Sequence, residues 1–111
     1  PVNVDINVNL PAYNDLAHVS QAIAIPEGSK GLYIRRNALD EFIVLDRHST
    51  FDVALGCQVT LDDDNVTLRD ESDCSESQWL MIDGSVMSGP AEVPLHRYRT
   101  TWNDPILQIY N

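Results

Sequence analysis

Two cysteines, a nearby histidine and a scatter of serines are the residues of this chain with types and spacing that could do chemistry. Cys57 and Cys74 lie seventeen positions apart; His48 precedes the first, and Ser72, Ser75 and Ser77 flank the second. An even cysteine count in a small loop-rich chain favours a disulfide wherever the compartment is oxidising. A bridge closing a loop of this length stabilises by about 3 kcal/mol through the entropy it removes from the unfolded chain. The rival reading is a pair of thiolates holding a metal with His48. Zinc sites space their paired cysteines by about two to four residues, and that spacing is missing. A third reading, a redox-sensing dithiol that cycles, requires an exposed bridge with a high reduction potential.

Other constellations are weaker. Asp62, Asp63 and Asp64 with Asp70, Glu71 and Asp73 suggest calcium, but the EF-hand pattern fails, and a solvated acidic turn accounts for them. Ser49, Ser72, Ser75 and Ser77 lie in no Gly-x-Ser-x-Gly elbow, and no His–carboxylate pair can be assigned to them from the sequence, which argues against a hydrolase. Asn65-Val66-Thr67 is a glycosylation sequon that matters only in a eukaryotic secretory host. His48 reads as a solvated loop residue, and His18 and His96 as surface or capping residues. Trp79 and Trp102 sit at strand positions, where packing is the default.

The whole chain sets the frame. Its 111 residues suffice for one domain, spanning 1–111, with one core. The net charge of −10, from 17 acidic and 7 basic residues, repels phosphate backbones and anionic membranes, so nucleic acid is not an expected partner. No run approaches the roughly 18 apolar residues of a membrane span. The first residue is Pro1 rather than Met, from which we expect a preceding segment to have been removed or omitted; a signal or a lipid anchor is the kind of segment that would stand there.

The elements that must position these residues are short strands. Residues 2–10 alternate apolar and polar without a fault, a half-buried strand. A helical turn capped by Asn14 is expected over 14–18, then a strand over 18–25 carrying Val19, Gln21, Ile23 and Ile25 on one face. Residues 31–35 and 41–46 flank a turn at 37–40 and read as a hairpin. Phe42-Ile43-Val44-Leu45 is continuously apolar, which predicts a central strand buried on both faces. Residues 47–56 form a loop, 57–61 and 66–69 a hairpin around 62–65, 70–78 a second and acidic loop, and 79–81 the next strand. The last hairpin pairs 97–102 with 106–110. Gly84, Gly89, Pro90 and Pro94 predict tight turns between them. The class is all-β. The expected core is Val4, Ile6, Val8, Ile23, Leu32, Ile34, Phe42, Val44, Val59, Leu68, Leu80, Leu95, Tyr98, Ile106 and Ile109.

One family resemblance follows from the order of these motifs. Trp79-Leu80-Met81, Asp83-Gly84-Ser85, Ser88-Gly89-Pro90-Ala91, Pro94-Leu95, Tyr98 and the closing strand resemble the C-terminal third of a Rieske iron–sulfur domain. Residues 42–47 resemble the strand that enters its first cluster loop. The resemblance covers about residues 30–111. It implies an antiparallel β-sandwich with two loops that grip a [2Fe–2S] cluster through two cysteines and two histidines. It also implies that Cys57 and Cys74 stand at the positions of the additional cysteines that clamp the loops together. Aligned on Ser77 and Trp79, the second loop's ligand cysteine falls on Ser72 and its ligand histidine on Ser75. The first loop has no cysteine ligand and only His48.

The resemblance therefore implies a degenerate, cluster-less member, similar to small secreted or lipid-anchored bacterial proteins. It would be a binding or structural module in the periplasm, at the cell surface or secreted, with a protein or cell-envelope partner and no cofactor. His48, Ser49, Asp52, Ser77 and Trp79 are its candidate loop residues. The alternative is a Rieske-type [2Fe–2S] electron-transfer protein or oxygenase component with atypical ligation by Cys57, Cys74 and His48.

Overall fold

The computed structural model describes residues 2–111. Ten strands form three antiparallel sheets. The first sheet joins the chain ends, with β1 (Asn3–Asn7) beside β10 (Ile106–Tyr110), itself beside β9 (Arg99–Asn103). The second is β2 (Ala22–Ile25), β3 (Leu32–Ala38) and β4 (Glu41–Asp46). The third is β5 (Thr60–Leu61), β6 (Thr67–Arg69), β7 (Gln78–Leu80) and β8 (Val86–Ser88). Only two short 3₁₀ turns, Pro11–Ala17 and Val53–Leu55, interrupt the β structure. No helix among the described residues is long and apolar enough to cross a membrane.

The expected central strand has the expected consequence. All four of Phe42, Ile43, Val44 and Leu45 are buried. Alternation sends them to two different cores. Phe42 and Val44 join Leu32 and Ile34 of β3 in a cluster with Ile6, Leu107 and Ile109 of the terminal sheet. Ile43 and Leu45 join Tyr33 in a cluster with Val59, Leu68, Trp79 and Met81 around the third sheet. The β3–β4 hairpin is thus the middle layer between two packed units.

The sheets are also stitched through β4. Leu45 pairs with Arg97 in an isolated bridge, Tyr98 donates its N–H to Val44 O at 2.9 Å, and Asp46 donates to His96 O at 2.9 Å. Arg36 closes the far end of the first core. Its guanidinium lies 5.0 Å from the Phe42 ring centre and 5.1 Å from that of Trp102, and it donates to the Leu16 and Leu39 carbonyls. A cation buried this way keeps its hydrogen bonds and adds ring attraction.

Several expectations are corrected. The 2–10 strand ends at Asn7, because its partner β10 begins at Ile106, opposite Asn7, and Pro11 follows soon after. Leu10 is exposed. The helical turn starts at Pro11 rather than at a cap on Asn14, since proline needs no N–H partner in a first turn. The next strand begins at Ala22, not at residue 18; Ser20 takes a positive φ and Val19 faces solvent. The 57–61 strand shrinks to Thr60–Leu61.

Among the expected core residues, Ile106 is exposed and Leu107 takes its place. Ile106 and Ile109 are three apart, an odd spacing that cannot share one face of a strand. Leu80 is only half-buried for the same reason: Trp79 and Met81 on either side of it point inward. Val4 and Ile23 are half-buried.

Tyr98 makes a titratable joint in this framework. Its hydroxyl donates to Asp46 Oδ2 at 3.0 Å. Burial, followed by the Asp46 charge and hydrogen bond, pushes the phenol from 10.0 up to about 12. The fold thus favours the neutral tyrosine. Its contribution is complete below the unfolded value near 10 and disappears as pH climbs towards 12. We expect the stability advantage of wild type over Tyr98→Phe to hold up to that lower pH and shrink above it. Paired thermal melts across the alkaline range check this.

Candidate functional site

The 47–56 and 70–78 segments leave the third sheet's side of the hairpin and meet each other. Each begins where a strand ends, β4 at Asp46 and β6 at Arg69. Asp46 prepares the first loop: its Oδ2 accepts from Tyr98 and its Oδ1 accepts the His48 N–H at 2.9 Å. His48 then bridges to Gln58, and Ser49 N–H donates to Cys57 O at 2.8 Å, so the loop returns beside its own start. Cys57 and Cys74 form a disulfide with Cα atoms 6.6 Å apart, within ordinary reach of such a bond. The bridge is formed, as the even cysteine count suggested, and the two sulfurs are not paired thiolates; the structural and the cycling readings share this bond.

Behind the disulfide lies a buried polar cluster. Asp70 is 8 % exposed. Its Oδ2 accepts from Ser49 Oγ at 2.9 Å and from Ser75 Oγ at 2.6 Å, and its Oδ1 accepts from the Glu71 N–H at 2.9 Å. No cation lies within 4.0 Å of this carboxylate among the described residues. Three donors stand in for a counter-ion, the condition for burying a charge without one.

The network then runs outward. Ser75 has a single hydroxyl proton, and the shorter contact with a charged acceptor claims it. Ser77 Oγ, 2.9 Å away, therefore donates to Ser75 and accepts the Ala91 N–H at 2.8 Å. The polar core thus links the first loop, the second loop and the 89–91 turn.

The sequence-derived residues divide sharply. Ser49, Ser75 and Ser77 come together in this cluster, and Trp79 packs fully buried beside it, its Nε1 donating to Val93 O at 3.0 Å. Ser72 and Asp52 are exposed and outside it. His48 is a half-buried loop residue whose ring is held by two hydrogen bonds at the surface. Its Nε2 is 2.9 Å from the Val53 carbonyl, which can only accept, so Nε2 carries a proton; Nδ1 lies 2.9 Å from Ser29 Oγ. His18 and His96 are surface residues as expected, His96 standing edge-on to the Tyr98 ring at 4.6 Å.

The acidic turn works as local structure. Asp64 accepts from the Thr67 and Val66 N–H groups, and these hold its carboxyl below the ordinary range. Asp62 pairs with Arg69 at 2.8 Å. Asp70, grouped in the sequence with these solvated acids, is instead the centre of the buried cluster. Nothing in its spacing marked it.

These donors do not fit a Rieske-type cluster. The Cys57 and Cys74 sulfurs lie within 4.8 Å of an Asp70 oxygen, but they are bonded to each other and offer no thiolate. Ser75 is committed to Asp70, and His48 is held by Ser29 and Val53. The chain matches no protein-family model and no curated protein.

The contrast between two neighbouring serines is testable. Ser75→Ala leaves a buried carboxylate short of a donor and Ser77 short of an acceptor, at a cost of about 1–3 kcal/mol. Ser72→Ala, on the exposed side of the same loop, should stay within about 0.5 kcal/mol. Urea denaturation of both variants under oxidising conditions checks this order.

Proposed function

We propose that this domain is a cluster-less Rieske-like module that binds a partner through its two tied loops. The observation that carries this is the Ser49–Asp70–Ser75–Ser77 network: Ser75, at the position where the resemblance implies a ligand histidine, gives its hydroxyl to the buried Asp70 carboxylate. The disulfide supplies the cross-loop link that a metal cluster would otherwise provide. Three antiparallel sheets with two disulfide-joined loops are compatible with the Rieske-like sandwich that the motifs after Trp79 imply.

The exterior of the loops supports a binding role. Val53 and Leu55 of the first loop and Val93 of the neighbouring turn are each more than half exposed. Thr50 Oγ donates to Val93 O at 2.6 Å, which brings these two segments together. Glu71, Ser72, Asp73 and Glu76 lie exposed on the second loop. An apolar tip beside an acidic rim suits a protein partner carrying basic residues around an apolar patch. A disulfide in the framework is consistent with an exported protein.

The test begins with an absorption spectrum, iron and acid-labile sulfide analysis, and thiol titration on anaerobically purified protein. We expect colourless protein without iron and without free thiols before reduction. Stoichiometric iron with a visible band would replace this reading by an electron carrier. A photo-crosslinker at Leu55 should then capture a discrete partner in the source cells that one at Leu39, on the β3–β4 turn, does not. Equal labelling from both positions would sink the loop-tip assignment.

A further inference from the structure

A second concavity borders the base of the first loop. It is a cleft of about 500 Å³ between the 26–31 turn, the end of β2, and the start of the first loop. Its polar lining is Lys30, Arg47, Ser29 and Gln58, and its apolar wall is Ala24 and Pro26. This is an unusual place in a chain of net charge −10. It holds the chain's sole lysine and one of its six arginines. Neither cation has a carboxylate within 4.0 Å among the described residues, and Glu27 of the same turn does not line the cleft.

Of the two cations, Arg47 is held by contacts of its own side chain. Arg47 Nε donates to the Val59 carbonyl at 3.0 Å, and its guanidinium lies 4.4 Å from the centre of the Tyr33 ring. The stem is fixed, so the remaining guanidinium donors are preorganised rather than ordered at the expense of binding. Gly31, at φ +92°, keeps the wall thin here: a Cβ would lie 3.2 Å from Ile25 O and 3.4 Å from Arg47 Cδ. Across the cleft the Lys30 ammonium passes over Gly56, 3.6 Å from where a Cβ would stand. Gln58 Nε2 donates to the Lys30 carbonyl at 2.6 Å and anchors that turn to the loop.

We propose that this cleft binds a phosphate monoester, with Lys30 and Arg47 taking the phosphate and the Ala24–Pro26 wall taking the organic group. Two positive charges with no carboxylate within 4.0 Å match a dianion better than a carboxylate, even with Glu71 accepting the Gln58 N–H at 2.8 Å on the border of the cleft, and a phosphate monoester near neutral pH carries about −1.5 to −2. The arginine fork and the lysine point charge are complementary ways of holding such a group. The proposal rests on Lys30 and Arg47 and does not depend on the loop-tip reading, although the cleft borders Gly56 of the same loop.

Because Lys30 is the only lysine, it can be watched directly. Reductive ¹³C-methylation keeps its charge and gives one dimethyllysine resonance. That resonance should shift saturably on titration with phenyl phosphate at low ionic strength. By calorimetry, Lys30→Gln should weaken binding about tenfold, the loss of one charge-assisted contact. Arg99→Gln, an exposed change on β9 outside the cleft, should leave the affinity unchanged. Inorganic phosphate should bind more weakly than phenyl phosphate, and benzoate more weakly still. No saturable shift up to about 20 mM ligand would overturn the proposal. Equal weakening by Arg99→Gln would reduce it to non-specific attraction, and benzoate binding as tightly as phenyl phosphate would refute the dianion assignment.

Discussion

The rest of the structure depends on the burial of four consecutive apolar side chains, Phe42 to Leu45, on both faces of one strand. Each fully buried side chain of this size contributes about 1.5–3 kcal/mol of transfer free energy. Their alternation commits β3 and β4 to being the middle of a layered molecule, since neither face can be left to water. The terminal sheet covers one face and the small third sheet covers the other. Antiparallel sheets more often keep one wet face; this one does not, and so it can anchor two units at once.

Everything that resembles a site hangs from the end of that strand. Asp46 is the last residue of β4, and it receives the Tyr98 hydroxyl from one side and the His48 N–H from the other. Arg47 and Ser49 follow and go in different directions: Arg47 stacks on Tyr33 and lines the cleft, while Ser49 turns inward to Asp70. Three positions within four residues therefore serve a sheet joint, a cationic cleft and a buried polar core. The rigidity of β4 is what makes these placements reproducible.

The polar core between the loops is costly in isolation and sound as a unit. A carboxylate without a cation is tolerable only while Ser49, Ser75 and the Glu71 N–H all donate to it. The Cys57–Cys74 bond limits how far the loops can separate, which keeps those donors in range. The covalent link and the hydrogen-bond network thus support each other, and loss of either loosens the other.

The strands were largely legible in the sequence, because period-two alternation and turn residues are local signals. The double burial of Phe42–Leu45, the closing hairpin and the all-β class follow from patterns that any neighbouring structure must respect. Where a strand stops is less local: β1 ends at Asn7 because β10 offers no partner beyond it, and Ile106 yields to Leu107 because register, not hydrophobicity, selects the inward face. The cysteine count suggested the bridge. The site itself was decided by tertiary structure. Asp70 sits in an acidic stretch whose other members are solvated, and Lys30 and Arg47 are far apart in the chain. Glu71 and Ser75 reach Asp70 from its own loop, but only folding brings Ser49 from the other loop and the two cations to one cleft, contacts that no spacing along the chain records.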